Sequence, residues 1–220
     1  MNTLEIEIVH DIVCSWCPIG YANLKQAIRN LKMEVNIRFL PYELNPNMSN
    51  EGEDIDDYFA RHHQWNHSKR QDYRKHLLAV AEQAGVSIDF SKRTHYYNSN
   101  KAHRLIHWSE SQKKQLAMNE LLIDAYFKFG LDISNTSVLL DLVEELGLDK
   151  SAAEYALSSE KVTQQMASKW KRAKALRVSS IPVFIFNDLI VVSGSNSIEY
   201  FENKILELTR TAKPTLNIAN

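Results

Sequence analysis

The first residues of the chain alternate between apolar and acidic side chains. Leu4, Ile6 and Ile8 would lie on one face of an extended segment, and Glu5 and Glu7 would lie on the other. A period of two is typical of a β-strand with one buried face and one polar face. We therefore predict a strand at the start of the fold.

A helix and a second strand are predicted next. Apolar residues at positions 21, 24, 28 and 31 recur every three or four residues, which places them on one side of a helix. Apolar and polar residues alternate again over 35–39. A strand, a helix and a strand in this order are typical of a βαβ unit.

The middle of the chain, from about residue 54 to residue 174, has a helical pattern throughout. It contains four apolar stripes, and Gly85, Gly130 and Gly147 follow the first three, as expected of residues that end helices. We predict one amphipathic helix for each stripe. The stripes are Leu77, Val80, Ala81 and Ala84; Leu116, Ile123, Tyr126 and Phe127; Leu139, Leu142, Val143 and Leu146; and Val162, Met166, Trp170 and Ala173.

Strand patterns return near the C-terminus. Two apolar runs, 181–186 and 189–192, flank the polar pair Asn187-Asp188, which is typical of a β-hairpin. A last helical stripe follows, with Ile198, Phe201, Ile205 and Leu208. The sheet is thus predicted to be assembled from both ends of the chain around a helical insert.

Composition narrows the class of protein. The 220 residues are 44% hydrophobic and 24% charged, which is ordinary for a globular protein with a core of its own. The 26 Lys and Arg residues are balanced by 27 Asp and Glu residues, so no positive field favours nucleic acid. No apolar run approaches the ~20 residues of a membrane span, and the acidic N-terminus does not resemble a signal segment. We expect a cytoplasmic protein with no membrane or nucleic-acid partner.

The two cysteines carry the candidate chemistry. Cys14 and Cys17 form a Cys-x-x-Cys turn between the predicted first strand and the predicted helix. A helix N-terminus offers free N–H groups and a partial positive charge, which stabilise a thiolate. We assign Cys14, at the helix start and open to solvent, as the attacking thiol. Cys17, one turn deeper and shielded, is assigned as the resolving thiol.

A zinc site and a purely structural cysteine pair are the alternatives to redox chemistry. A zinc site needs a second set of ligands, and the chain has no further cysteine. His63 with His67, and His103 with His107, have the spacing of one helix face, but no carboxylate ligand evidently accompanies them. A βαβ context is the one in which Cys-x-x-Cys indicates redox activity, so we favour that interpretation and predict no metal.

Pro182 is the second candidate element of the site. A proline cannot donate to the ladder of a sheet, so its place at the start of an apolar strand is unusual. The simplest interpretation is the beginning of an edge strand. The functional interpretation is a cis-proline loop that faces the cysteines and leaves the backbone of Ile181 free to pair with an incoming peptide. We predict the cis form.

Together these motifs resemble the DsbA-type thioredoxin superfamily, and within it the FrnE-like branch. The resemblance spans nearly the whole chain. Besides the cysteine turn, it rests on residues 41–46, 98–105 and 175–186. The chain departs from the family's usual Cys-Pro-Trp-Cys-Tyr at Ser15 and Pro18, and from its usual Gly-Val-Pro at residues 180–181. These departures bear on redox potential and substrate preference.

The resemblance implies a fold and a set of site residues. We expect an α/β protein with a thioredoxin-like fold and a large all-helical insertion. The thioredoxin-like domain would comprise residues 1–45 and 175–220, and the insertion domain residues 46–174. The expected catalytic residues are Cys14 and Cys17. The expected substrate-binding residues are Pro182, Ile181, Trp16, Ser15, His103 and Asn98, with Trp16 partly exposed beside Cys14.

The predicted function is thiol–disulfide exchange on protein or peptide thiols, with disulfide isomerase activity as a related capability. The redox-active pair Cys14–Cys17 takes the place of a bound cofactor, and glutathione is a candidate co-substrate. A glutathione-dependent isomerase or transferase of the kappa or hydroxychromene-carboxylate isomerase type is the alternative, but those relatives generally carry serine at the position of Cys14. A non-enzymatic peptide-binding module is the third interpretation. The oligomeric state stays open.

Overall fold

Within residues 3–211, which the computed structural model describes, the chain forms a four-stranded sheet, a two-stranded sheet and nine α-helices. The strands are β1 (Leu4–His10), β2 (Val35–Pro41), β3 (Glu53–Asp54), β4 (His95–Tyr96), β5 (Val183–Phe186) and β6 (Ile190–Ser193). The helices are α1 (Trp16–Leu31), α2 (Ile55–His63), α3 (His67–Gln83), α4 (Asn100–Ser111), α5 (Gln115–Phe127), α6 (Thr136–Glu145), α7 (Lys150–Ser158), α8 (Glu160–Ala175) and α9 (Ile198–Thr211). Residues 1–2 and 212–220 of the predicted thioredoxin-like domain lie outside the described residues.

The larger sheet is built from both ends of the chain, as predicted. Its strand order is β2-β1-β5-β6, with β1 parallel to β2 and antiparallel to β5. Ile8 of β1 lies between Phe39 on one side and Phe184 on the other. The period of two in the first strand therefore aligns with apolar positions in both neighbouring strands.

Helices cover both faces of this sheet. The face that carries Leu4, Ile6 and Ile8 packs on α1 and α9 in one core cluster, and the rings of Phe184 and Phe201 are 4.9 Å apart there. The opposite face carries Val9, Leu40, Val183 and Ile185, which pack against Ala173 of α8. A sheet buried on both faces explains why β5 is apolar at every position.

The predicted hairpin joins β5 to β6. Asn187 and Asp188 both have left-handed backbone conformations, with φ of 48° and 58°. Two consecutive left-handed residues match the right-handed twist of the flanking strands, and Asn and Asp tolerate this conformation better than other residues with side chains. The turn chemistry read from the sequence is therefore confirmed.

The insert is helical, as predicted, but it has seven helices where the four stripes predict four, and it also contains a small sheet. The four apolar stripes correspond to α3, α5, α6 and α8, and the side chain of Asn135 caps α6 by accepting from the N–H of Ser137 at 2.9 Å. Helices α2, α4 and α7 and the small sheet of β3 and β4 are additional to the four predicted helices. Strands of two residues are too short to produce a period in the sequence. Among residues 3–211 no helix is both long and apolar enough to cross a membrane.

One hydrophobic core joins the insert to the main sheet. The buried cluster that contains Ile6 and Leu24 also contains Leu105 of α4, Leu122 of α5 and Leu139 of α6. Helix α4 contacts β2 as well as α5, α7 and α8. The two parts of the chain thus bury apolar side chains against each other. Their division into two separate domains stays a prediction.

Shortening a side chain in the shared core is expected to destabilise the whole protein. Leu105 is fully buried, so Leu105→Ala should lower the free energy of unfolding by about 2–5 kcal/mol. Leu189, which is 75% exposed, provides the control. Leu189→Ala should change the free energy of unfolding by less than about 0.5 kcal/mol. Denaturant unfolding followed by circular dichroism and by tryptophan fluorescence should give one coincident transition. Two separate transitions would contradict the shared core.

Candidate active site

The cysteine turn lies between the end of β1 and the start of α1. The N–H of Cys14 donates to the carbonyl of Asp11 at 3.2 Å, and the N–H of Cys17 donates to the carbonyl of Cys14 at 3.2 Å. Ser15 is the N-cap residue of α1, so Cys14 precedes the helix and Cys17 lies in its first turn. Both cysteines are free thiols.

The two thiols have different surroundings, and their pKa values shift in opposite directions. The Cys17 thiol donates a hydrogen bond to Cys14, and together with the N–H groups of Trp16 and Cys17 it lowers the pKa of Cys14 despite burial. Burial raises the pKa of Cys17 well above its usual value, and the hydrogen bond and charge of Cys14 raise it further. The pair is therefore asymmetric in acidity, with Cys14 as the thiol that ionises first.

The expected solvent exposure of Cys14 is wrong. Cys14 is 7% exposed and Cys17 is 4% exposed, so both are buried. The backbone before Pro182 lies against Cys14, with the carbonyl oxygen of Ile181 3.9 Å from the sulfur. The difference between the two thiols in this structure is one of acidity, since their exposure is nearly equal.

The loop at Pro182 faces the cysteines, as predicted. The Ile181–Pro182 peptide bond is cis, and the carbonyl of Pro182 accepts from the N–H of Gly194 at 2.8 Å. Pro182 is buried and Ile181 is half-buried. The predicted proline loop therefore lies against the Cys14 sulfur through the carbonyl of Ile181.

Gly20 allows α1 to approach this loop closely. A Cβ atom at Gly20 would lie 3.0 Å from Phe184, 3.1 Å from the ring of Pro182 and 3.2 Å from the backbone of Ser195. These distances are shorter than ordinary van der Waals contacts. A glycine in the second turn of α1 therefore holds the cysteine helix and the proline loop together.

Trp16 and Ser15, the two residues between the cysteines, differ in their surroundings. Trp16 is half-buried, which confirms its predicted partial exposure, and it packs with Ile19 against Leu77 of α3. Ser15 is buried and its hydroxyl makes no capping bond to α1. Helix α3 of the insert thus borders the cysteine turn through Trp16.

Two buried polar residues lie beneath the turn. The carboxylate of Asp11 accepts from the N–H of Leu44 at 2.7 Å and lies 3.3 Å from Nε2 of His103. That nitrogen is also 3.1 Å from the carbonyl oxygen of Tyr42. His103 is therefore buried and reaches the cysteine turn through Asp11, whose negative charge raises the pKa of both cysteines.

Sequence reasoning missed Asp11, His10 and Glu43. The ring of His10 lies edge-on to His103 at 5.5 Å, and burial holds the pKa of His10 well below its usual value. Burial also raises the pKa of Glu43, although a hydrogen bond from Asn100 opposes that shift. The available signal was the polar pair His10-Asp11 where the first strand ends, just before the cysteines.

Asn98 holds a loop of the insert. Its amide donates to the carbonyl of Met48 at 3.0 Å, and its side-chain oxygen accepts from the N–H of Asn100 at 2.9 Å. These bonds fix residues 46–48 against the start of α4. A role for Asn98 in substrate binding stays a prediction.

No group of three or more His, Cys, Asp or Glu residues is arranged to hold a metal ion within residues 3–211. His103 is engaged by Asp11 and the Tyr42 carbonyl, and the ring of His63 packs near Phe59 and Trp65.

Residues 5–206 match the DSBA-like thioredoxin domain family. The chain belongs to this family. Its thioredoxin-like fold with a helical insertion, predicted from the cysteine turn and the late Ile-Pro strand, is confirmed. The match extends over both ends of the main sheet and the whole insert.

Similar proteins agree with this family. The uncharacterized protein YwbO of Bacillus subtilis is 26% identical over 204 residues, which are 92% of this chain and 96% of YwbO. A probable DsbA oxidoreductase of Streptomyces coelicolor has a similar structure, with a TM-score of 0.88, 20% identity and coverage of 99% of this chain and 94% of that one. The cytosolic disulfide reductase DsbM of Pseudomonas aeruginosa, solved with glutathione, has a TM-score of 0.67, 18% identity and coverage of 94% and 99%.

Removing the buried negative charge beneath the turn is expected to make the Cys14 thiol more acidic. The negative charge of Asp11 raises the pKa of Cys14, so Asp11→Asn should lower it. The measurement is thiolate absorbance of the reduced protein against pH. Asp141, a carboxylate on the exposed surface of α6, is the control, and Asp141→Asn should leave the pKa of Cys14 unchanged. A higher pKa of Cys14 in Asp11→Asn would contradict the destabilising effect of Asp11 on the thiolate.

Proposed function

We propose that this chain is a thiol–disulfide oxidoreductase that exchanges disulfides on protein or peptide thiols through Cys14 and Cys17. The observation that carries the proposal is the difference in acidity between the two thiols, because exchange needs one thiol that ionises readily and a second that stays protonated until it is needed. Membership of a family whose solved relatives include oxidoreductases agrees with it.

The proposed reaction begins at Cys14. Its thiolate attacks one sulfur of the substrate disulfide and forms a mixed disulfide, and the other substrate sulfur leaves as a thiolate and takes up a proton. Cys17 then loses its proton and attacks Cys14 Sγ, which releases the second substrate thiol. The substrate disulfide is reduced to two thiols and the enzyme pair is oxidised to the Cys14–Cys17 disulfide. The reverse sequence oxidises a dithiol substrate.

Substrate binding is proposed for the surface beside the Ile181–Pro182 loop. The Ile181 carbonyl lies 3.9 Å from the Cys14 sulfur, so a peptide whose cysteine reaches Cys14 also meets this backbone segment. Half-buried Trp16 borders the same place from the insert side. Because both thiols are buried, attack on a protein disulfide requires the loop or the insert to move away from Cys14.

The remaining features of the proposal concern partners and location. Protein or peptide thiols are the proposed substrates. Glutathione is the proposed small co-substrate, and the structure of DsbM with glutathione supports this proposal. We propose membership of the FrnE-like branch on the sequence motifs around Cys14, and a cytoplasmic location on the composition of the chain.

The two cysteine variants should behave differently with a disulfide-bonded peptide. Cys17→Ser keeps the acidic thiol but removes the resolving one, so it should accumulate a covalent adduct with the substrate. Cys14→Ser leaves Cys17, whose pKa is still raised by burial, so it should form little adduct at neutral pH. Non-reducing electrophoresis and mass measurement detect the adduct. Equal trapping by both variants would contradict the assigned roles.

Blocking the thiols separates exchange from the alternative functions. Alkylation of the reduced protein should modify Cys14 first and abolish reduction of a disulfide peptide, because the Cys14 thiolate is the attacking group. A peptide-binding module would retain peptide binding after alkylation and would show no turnover before it. A glutathione-dependent isomerase would keep its activity in Cys17→Ser, since that chemistry needs no resolving thiol.

A further inference from the structure

Arg93 is an arginine buried in the interior of the protein. It is 1% exposed and lies in the insert just before β4. Within residues 3–211 no carboxylate lies at ion-pair distance from its guanidinium, and its Nε atom has no hydrogen-bond partner there. Burial of a cation costs several kcal/mol unless other groups compensate it, so this arrangement requires an explanation.

An aromatic cage provides part of the compensation. The central carbon of the guanidinium lies 4.8 Å from the ring centres of Tyr126 and Phe127, 5.2 Å from that of Tyr96 and 5.6 Å from that of Phe90. Aromatic faces attract cations, most strongly where water is excluded. The cage stabilises the charge of Arg93 without neutralising it.

The guanidinium points at the cysteine turn. Nη2 of Arg93 donates to the carbonyl oxygen of Val13 at 3.3 Å, across 80 positions of sequence. Val13 is bonded directly to Cys14, and this contact joins the insert to the backbone that presents the attacking thiol. Cys14 also affects the pKa of Tyr73 and Tyr96, the same side chains that Arg93 affects, so sulfur and guanidinium share one buried environment.

The backbone around Arg93 is fixed independently of its side chain. The N–H of Arg93 donates to the carbonyl of Asp89 at 2.8 Å, and the N–H of Asp89 donates to the carbonyl of Phe127 at 2.8 Å. Gly130 lies so close that a Cβ there would be 2.2 Å from the carbonyl oxygen of Lys92. These contacts hold the arginine in place before any substrate binds.

We propose that Arg93 is a positioning residue of the disulfide-exchange site, which holds the Val13 carbonyl and places a buried positive charge beside Cys14. This inference rests on the proposed function. The charge stabilises the anionic form of the Cys14 sulfur because opposite charges attract strongly where water is excluded. It thereby favours the reduced enzyme over the oxidised one.

Other titratable groups face the same sulfur. Asp11 lies in the cysteine turn, and Cys17 lies in the first turn of α1. Tyr73 and Tyr96 face the Cys14 sulfur from the insert. Burial raises the pKa of Tyr73 to about 12 and also raises that of Tyr96, so both tyrosines are neutral at physiological pH. The charge of Asp11 raises the pKa of Cys14, and the effect proposed for Arg93 has the opposite sign.

The test replaces the cation by an apolar side chain of similar length. In Arg93→Met the pKa of Cys14, measured by thiolate absorbance of the reduced protein, should rise by about one unit. At a pH below both pKa values, the variant would then contain tenfold less thiolate than the wild type. The reduction potential, measured against glutathione at a pH above the pKa of Cys14 in both proteins, should fall by about 30 mV, the equivalent of a tenfold change.

Arg104 provides a matched control. It is a second buried arginine of the insert, and its guanidinium donates to the carbonyls of Ala156 and Ser159 and to the hydroxyl of Thr163. Arg104→Met should destabilise the protein without changing the pKa of Cys14 or the potential. Arg93→Lys, which keeps the charge, should lie between the wild type and Arg93→Met in both measurements.

Unchanged pKa and potential in folded Arg93→Met would overturn the proposal, and so would equal changes in Arg104→Met. If Arg93→Met does not fold, Arg93→Gln removes the charge and keeps an amide donor for the Val13 carbonyl, and the same rise in pKa is expected of it. An unchanged pKa in Arg93→Gln would equally overturn the proposal. Both measurements need no protein substrate, so a failure of disulfide exchange in the wild type would leave this inference to be judged separately.

Discussion

The antiparallel pairing of β1 with β5 is the constraint on which the site depends. In this register Val9 lies opposite Val183, so the chain that leaves β1 passes beside the chain that enters β5. The first of these segments carries the cysteines and the second carries Pro182. The contact between Cys14 and the Ile181 carbonyl is therefore a direct consequence of strand register. A shift of one residue would turn β5 over and remove that contact, because successive side chains of a strand point to opposite faces.

The electrostatics of the site follow from what the sheet and the insert place around this contact. Backbone N–H groups at the start of α1 favour the Cys14 thiolate, and the carboxylate of Asp11 beneath the turn opposes it. The insert adds Arg93 through the Val13 carbonyl. A buried site with opposing fixed charges responds strongly to the loss of either charge, since little water is present to screen them.

Local pattern predicted the fold better than it predicted the site. The strand at Leu4–His10, the hairpin turn at Asn187-Asp188 and the helical stripes each produce a period or a turn signal over neighbouring residues. The burial of Cys14 and the contacts of Asp11 with His103 join residues that are far apart in sequence. Such contacts produce no periodic pattern in the sequence. The sequence therefore indicated the cysteines and the proline as site residues, but it indicated neither their exposure nor their charged neighbours.

The discontinuous sheet has a consequence for synthesis of the chain. The cysteine turn leaves the ribosome roughly 170 residues before the strand that covers it, which at ~5–20 residues per second is a delay on the order of ten to thirty seconds. During that interval β1 has only β2 as a partner, and the Ile181 carbonyl cannot yet shield Cys14. The nascent chain therefore presents the Cys14 thiol to the surrounding solution before the fold that buries it is complete.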